Sequence, residues 1–212
     1  MGICYIVGAG ELYGEIKPKV GDFVIAADGG LDSLYRLGIT PDVFLGDMDS
    51  ACTSFSGETI RFPVRKDETD AFLAYREGAN RGYTDFILLG GTGGREDHTF
   101  ANISLLYYAK VRGHRMKMIG RCNVFFVIRN EKVSLSGKAG THFSAFALGC
   151  VAHGVTLSGL EYEAENITLS PEYPLAASNL FTDSIATVEV KDGALLIMTE
   201  SDCDFQKISF TH

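Results

Sequence analysis

Short, mainly apolar runs punctuate the first part of the chain, at 3–7, 23–27, 43–45, 59–62, 86–89 and 116–119. Runs of this length without polar alternation predict strands buried on both faces, as in a parallel sheet. Between them the pattern shifts to a helical period. Leu31, Leu34 and Tyr35 share one face of a helix over 31–37 that meets Gly38, a residue suited to a left-handed stop. A second helix over 68–81 aligns Phe72, Tyr75 and Ala79, with Asp67 and Asp70 spaced as an N-terminal cap pair. A third, over 97–111, aligns Phe100, Ile103, Leu106 and Tyr107. Residues 1–120 therefore read as an α/β domain with a mostly parallel sheet flanked by helices.

Beyond about residue 121 the helical period disappears and turn residues recur about every eight to twelve positions. Residues 121–212 accordingly read as an all-β sandwich or barrel. Arg129-Asn130-Glu131-Lys132 and Lys191-Asp192-Gly193 each separate two strand-like runs, so two hairpins are expected. Ser178-Asn179 falls in an expected loop ahead of the alternating run 185–190.

Composition narrows the function classes. The 212 residues are 46% hydrophobic, enough for one large or two small cores. Nineteen Lys and Arg against 27 Asp and Glu leave a net charge of −8, with no basic cluster, which argues against duplex nucleic acid as a partner. The apolar runs fall far short of the ~20 residues of a membrane span. No basic stretch precedes an apolar segment at the start, so a cytoplasmic location is expected. Cys4, Cys52, Cys122, Cys150 and Cys203 form no CxxC pair, and the five histidines are scattered. They read as buried thiols in a reducing compartment, without a zinc site.

The unusual residues begin where expected strands end: Gly8-Ala9-Gly10, Asp28-Gly29-Gly30, Gly46-Asp47-Met48-Asp49-Ser50 and Gly90-Gly91-Thr92-Gly93-Gly94-Arg95-Glu96-Asp97-His98. In an open parallel sheet those ends share one edge, where ligands bind. Four glycines in five residues ahead of a helix allow backbone N–H groups to cradle phosphate oxygens, and Arg95 adds a cation. No Gly-Lys-Ser/Thr follows, so the run is not a Walker loop. Asp47 and Asp49, with Asp70, suit a hard cation such as Mg²⁺, although Asp is equally at home in turns and caps. Asp28 either caps the following helix or hydrogen-bonds a ligand, Asp97 is open to an ordinary N-cap reading, and His98 to a structural one. Tyr162, Tyr173 and Phe181 are candidates to line a ring-binding pocket or to pack a core.

Ala27-Asp28-Gly29-Gly30, Gly46-Asp47-Met48-Asp49-Ser50, Lys66-Asp67-Glu68-Thr69-Asp70, Gly90-Gly91 through Arg95-Glu96-Asp97-His98 with Asn102, and Ser178-Asn179 follow one another in an order that resembles the thiamine pyrophosphokinase family. The resemblance implies an ATP-binding catalytic domain over 1–120 and a thiamine-binding, dimerising β domain over 121–212. It implies a homodimer with composite sites and Mg²⁺-dependent transfer of pyrophosphate from ATP to the thiamine hydroxyl, releasing AMP. By motif, Asp47, Asp49 and Asp70 are the metal and catalytic carboxylates. Asp28, Gly29, Gly91, Arg95, Asp97, His98 and Asn102 face ATP, and Asp70, Ser178 and Asn179 face thiamine. The competing readings are pyrophosphoryl transfer to another heterocyclic alcohol, such as a hydroxymethylpterin, and a non-catalytic nucleotide-binding module.

Overall fold

The computed structural model describes residues 2–46, 55–63 and 67–200, together with the backbone of 209–211. The chain divides into two compact units, Met1–Arg121 and Cys122–His212. In the first, six strands are described: β1 (Cys4–Val7), β2 (Phe23–Ala27), β3 (Val43–Gly46), β4 (Glu58–Arg61), β5 (Asp85–Leu89) and β6 (Arg115–Ile119). They pair in parallel in the order β6-β5-β1-β2-β3-β4. All of β1 and β3 and nearly all of β2 and β5 are buried, which is why their runs lack polar alternation. Edge strand β4 exposes Glu58 and Arg61, charges that oppose edge-to-edge pairing. The chain builds outward from β1 through β4, then returns to the other side of β1 as β5. The switch point between β1 and β5 is where such sheets open a crevice.

Three helices complete this unit: α1 (Gly30–Arg36), α2 (Asp70–Asn80) and α3 (Glu96–Val111). Helix α1 buries Leu31 and Leu34 against Val7 and Ala26. Helix α2 is capped by Thr69, whose hydroxyl accepts the Phe72 N–H at 3.3 Å, rather than by the expected Asp67–Asp70 pair. A hydroxyl one residue before the first turn competes successfully because its short reach matches that amide. In α3 the buried positions are Asn102, Leu105, Leu106 and Ala109, while Phe100 is 71% exposed. The expected stripe is thus rotated. Apolar residues surround this helix almost evenly, so periodicity alone could not select the face that meets the sheet.

The second unit is antiparallel throughout its described strands: β7 (Asn123–Ser136), β8 (His142–Ala147), β9 (Ala152–Ser158), β10 (Ala164–Leu169), β11 (Ala176–Leu180), β12 (Ile185–Glu200) and β13 (Ser209–Thr211). The long β7–β12 ribbon is its spine. Along its other edge β12 pairs with β9 over Thr187–Asp192 and then with β8 over Leu195–Thr199. Neither expected hairpin forms. Both turn-like sequences meet inside the ribbon, where Val190 opposes Glu131 and Ala194 opposes Arg129, leaving two extra residues in β12. Asn130 takes φ 51° and its side-chain oxygen accepts the Gly193 N–H at 2.8 Å. The glycine at φ 108° makes the kink that redirects β12 from one partner to the next. Ser178-Asn179 is likewise not a loop but part of β11, irregularly paired with β8.

Of the described cysteines, Cys4 is buried, with its thiol pushed up to about 12 chiefly by desolvation. Cys122 and Cys150 are exposed, against the expectation of uniform burial. Cys52 and Cys203 lie outside the described residues. No described helix is long and apolar enough to cross a membrane.

Beneath α2, Tyr75 is 2% exposed and packs against Phe86 with ring centroids 4.9 Å apart. Its hydroxyl lies 2.8 Å from Nδ1 of His114. Burial lowers the His114 pKa, Arg112 lowers it further, and Asp85 opposes both. The neutral ring is therefore favoured by folding. This contribution is present above the unfolded histidine value near 6.5 and is lost as pH falls through the depressed folded value. In urea unfolding between pH 7.5 and 5, the wild type should lose more stability than His114→Phe. A pH-independent difference between the two proteins would contradict the assignment.

Candidate active site

The C-terminal ends of β1, β2 and β5 stand side by side, and the loops leaving them border a cleft of about 260 Å³. Gly8, Ala9 and Gly10 follow β1, Asp28 follows β2, and Gly90, Gly91, Thr92 and Gly94 follow β5. The start of α2 adds Thr69, Asp70 and Ala71, and the start of α3 adds Arg95, His98, Thr99 and Asn102. Two helix N-termini thus border one crevice, with their partial positive charge at its rim.

A backbone seam holds the cleft floor. Gly8 N–H donates to the Leu89 carbonyl at 2.8 Å, Gly10 N–H to Gly90 at 2.9 Å, and Glu11 N–H to Thr92 at 3.0 Å. The two segments approach so closely that side chains are excluded. A Cβ on Gly10 would sit 2.5 Å from the Thr92 carbonyl oxygen and 2.6 Å from that of Gly90. Gly90 itself takes φ 64° and faces the Gly8 carbonyl. Gly94 differs: its nearest neighbour is Gly10 Cα at 3.9 Å, so its missing side chain leaves space rather than permitting contact.

Polar side chains fix the rest. Buried Asn102 donates its side-chain amide to the Gly91 carbonyl at 2.9 Å, tying α3 to the glycine loop. Asp28 occupies the left-handed region at φ 49°, which Asp tolerates better than most residues. Its N–H donates to Leu45 at 2.8 Å and its carbonyl accepts from Leu31 at 3.2 Å. Gly46, the last residue of β3, lies directly beside Asp28; a Cβ there would meet the Asp28 backbone at 3.2 Å. Arg95 forms a two-point ion pair with Asp97, at 3.1 Å through Nε and 2.5 Å through the terminal nitrogen. This hydrogen-bonded cation holds the Asp97 carboxyl below its ordinary range, assisted by the His98 N–H.

The cleft therefore brings together Asp28, Asp70, Gly91, Arg95, His98 and Asn102. Gly29 caps α1 just behind it, and Asp97 reaches it only through Arg95. Asp47 and Asp49 lie outside the described residues. Ser178 and Asn179 belong to the second unit. Ser178 is exposed at φ 58°, whereas Asn179 is 2% exposed, accepting from Tyr162 N–H at 3.0 Å and donating to its carbonyl at 2.8 Å. Of the candidate aromatics Phe181 is core, and Tyr162 and Tyr173 are exposed at 67% and 65%. Sequence reasoning passed over three hydroxyls of the cleft, Thr69, Thr92 and Thr99. Thr69 was findable as a cap; the other two have no signature beyond position.

Comparison with known proteins follows the same division. Residues 19–119 match the model of the thiamin pyrophosphokinase catalytic domain, and 128–195 that of the thiamin pyrophosphokinase vitamin B1 binding domain. A thiamine pyrophosphokinase of Bacillus subtilis is 25% identical over 186 residues, covering 84% of this chain and 87% of the relative. Thiamine pyrophosphokinase 1 of Oryza sativa is 23% identical over 209 residues, with 84% and 78% covered. Among crystal structures, thiamin pyrophosphokinase of Geobacillus thermodenitrificans superposes with a TM-score of 0.82 at 26% identity, covering 94% of this chain and 98% of that one. The Bacillus subtilis structure gives 0.84 at 24% identity, with 94% and 99% covered.

The seam and the open glycine separate structure from binding. Gly10→Ala should destabilise the protein by about 1–3 kcal/mol, because the added methyl meets two backbone oxygens that cannot swing away. Gly94→Ala should unfold at the wild-type denaturant concentration, to within about 0.5 kcal/mol, yet weaken ligand binding by narrowing the cleft. Equal stability of the two variants would remove the distinction.

Proposed function

We propose a site assignment from the premise that this chain belongs to the thiamine pyrophosphokinase family, whose catalytic and vitamin-binding domain models both match it in order. The chain is a thiamine diphosphokinase: it transfers the pyrophosphoryl group of ATP to the hydroxyl of thiamine, giving thiamine diphosphate and AMP. The observation carrying the assignment is that residues from three separate stretches, Asp28, then Asp70, then Gly91 and Arg95 with His98 and Asn102, border one cleft at the switch point of the sheet.

ATP lies with its phosphates against the glycine loop and the two helix N-termini. Arg95 exchanges its Asp97 partner for phosphate oxygens, and Asn102 keeps the loop in register through the Gly91 carbonyl. The cleft's hard carboxylate oxygens fit Mg²⁺. Asp47, Asp49 and Asp70 would hold it, and when bound it supplies neutralisation of phosphate charge. A cleft carboxylate accepts the proton of the thiamine hydroxyl as that oxygen attacks the β-phosphorus in line and AMP departs.

The β domain supplies the vitamin site in a homodimer. Ser178 contacts thiamine directly, a role its exposure supports, while Asn179 acts by gripping the Tyr162 backbone.

Purified protein with ATP, Mg²⁺ and thiamine should release AMP in proportion to thiamine added; ADP, or AMP independent of thiamine, would overturn the assignment. Asp70→Asn keeps the first-turn geometry of α2 and should lower turnover at least about a hundredfold with the unfolding midpoint nearly unchanged. Wild-type turnover by that variant at saturating Mg²⁺ would exclude Asp70 from the chemistry.

A further inference from the structure

Thr92 stands out inside the cleft. Its hydroxyl oxygen is buried and has no hydrogen-bond partner among the described residues. Its backbone carbonyl accepts the Glu11 N–H at 3.0 Å across the glycine seam, and the next residue, Gly93, turns away at φ 77°. A threonine hydroxyl withdrawn from water without a partner destabilises a fold. Valine would fill the same volume without that cost. The position lines the cleft together with Gly91, Gly94 and the Arg95 guanidinium, beside the N-terminus of α3, where cation and helix dipole both favour an anion. A group lying there is an anion, and a hydroxyl facing an anionic oxygen is a donor.

We propose that the Thr92 hydroxyl is a nucleotide-binding group of this site, donating a hydrogen bond to a phosphoryl oxygen of ATP. The assignment rests on the cleft being the ATP site, and it adds a residue whose partner is the ligand rather than the protein. Because the seam fixes the Thr92 main chain, the hydroxyl is positioned before the nucleotide arrives, and little ordering is required on binding. A hydrogen bond to a charged oxygen is strong enough that its loss should change affinity about tenfold or more.

The test uses the full chain and titrates Mg·ATP without thiamine, so that no turnover occurs, on wild type, Thr92→Val and Thr92→Ser. Thr92→Val should raise the dissociation constant about tenfold or more, while the ligand-free protein unfolds at an equal or higher temperature. Thr92→Ser should bind within about threefold of wild type. Adenosine, which has no phosphoryl oxygen, should bind wild type and Thr92→Val alike. Unchanged Mg·ATP affinity in Thr92→Val overturns the proposal. So does a drop in its ligand-free midpoint of several degrees, since that would reveal a partner within the protein. Equal weakening of adenosine and Mg·ATP overturns the phosphoryl assignment. Wild-type protein that binds Mg·ATP but forms no thiamine-dependent AMP defeats the reading of the reaction, while Thr92 is still decided by the titration. Wild-type protein that binds no nucleotide defeats both.

Discussion

The close backbone contact between the ends of β1 and β5 is the constraint from which the site follows. Three hydrogen bonds join Gly8, Gly10 and Glu11 to Leu89, Gly90 and Thr92, continuing the pairing of two parallel strands beyond the sheet. Ordinary strand ends diverge at a switch point, because the connecting chains leave in opposite directions. Here they stay together for three further residues, and glycine is required wherever the carbonyls of one segment face the Cα atoms of the other. The result is a rigid floor with N–H groups and short side chains at its surface, against which α2 and α3 present their N-termini. Rigidity of this kind matters for phosphoryl chemistry, where positioning and charge stabilisation supply most of the rate.

The same seam changes the meaning of the glycine-rich run. As a sequence, Gly90-Gly91-Thr92-Gly93-Gly94 reads as a phosphate cradle. In the structure its glycines have different reasons. Gly90 serves the seam, and Gly91 lies where a Cβ would be 2.6 Å from Met118 Sδ, so it serves packing. Gly94 alone faces open space. A glycine count therefore overstates the number of residues devoted to a ligand, and the open glycine and the partnerless hydroxyl beside it are the more specific indicators. Distances of this sort are set by how two remote segments meet, which no local pattern encodes.

What the sequence made legible was the part governed by local rules. Strands β1, β2, β3 and β5 are almost wholly buried, so their apolar runs marked their positions to within a residue or so, and Asp28 and the glycine clusters of the cleft fell at strand ends as the parallel arrangement demands. Tertiary context decided the rest. Asn130 and Gly193 carry turn chemistry but meet across a ribbon, and the same backbone preferences then make a kink in place of two hairpins. Phe100 fits a core stripe by spacing, yet Asn102 takes the inward face because the Gly91 carbonyl needs a donor there. Ser178-Asn179 looked like a loop for its polarity; pairing with β8 and the grip of Asn179 on Tyr162 make it a strand.

Taken together, the cleft residues divide by which side their polar atoms serve. Asn102 turns its amide to the protein, and Arg95 pairs with Asp97. Asp28 sits in a backbone conformation that most residues avoid, and Thr92 buries a hydroxyl without a partner. The Thr92 hydroxyl is a local cost that folding alone does not repay, and it occurs where the seam holds the main chain. A softer loop would relax, turning the hydroxyl to water. The seam prevents this, so the strain persists until something in the cleft relieves it, and binding energy there is available for orientation rather than for ordering the loop.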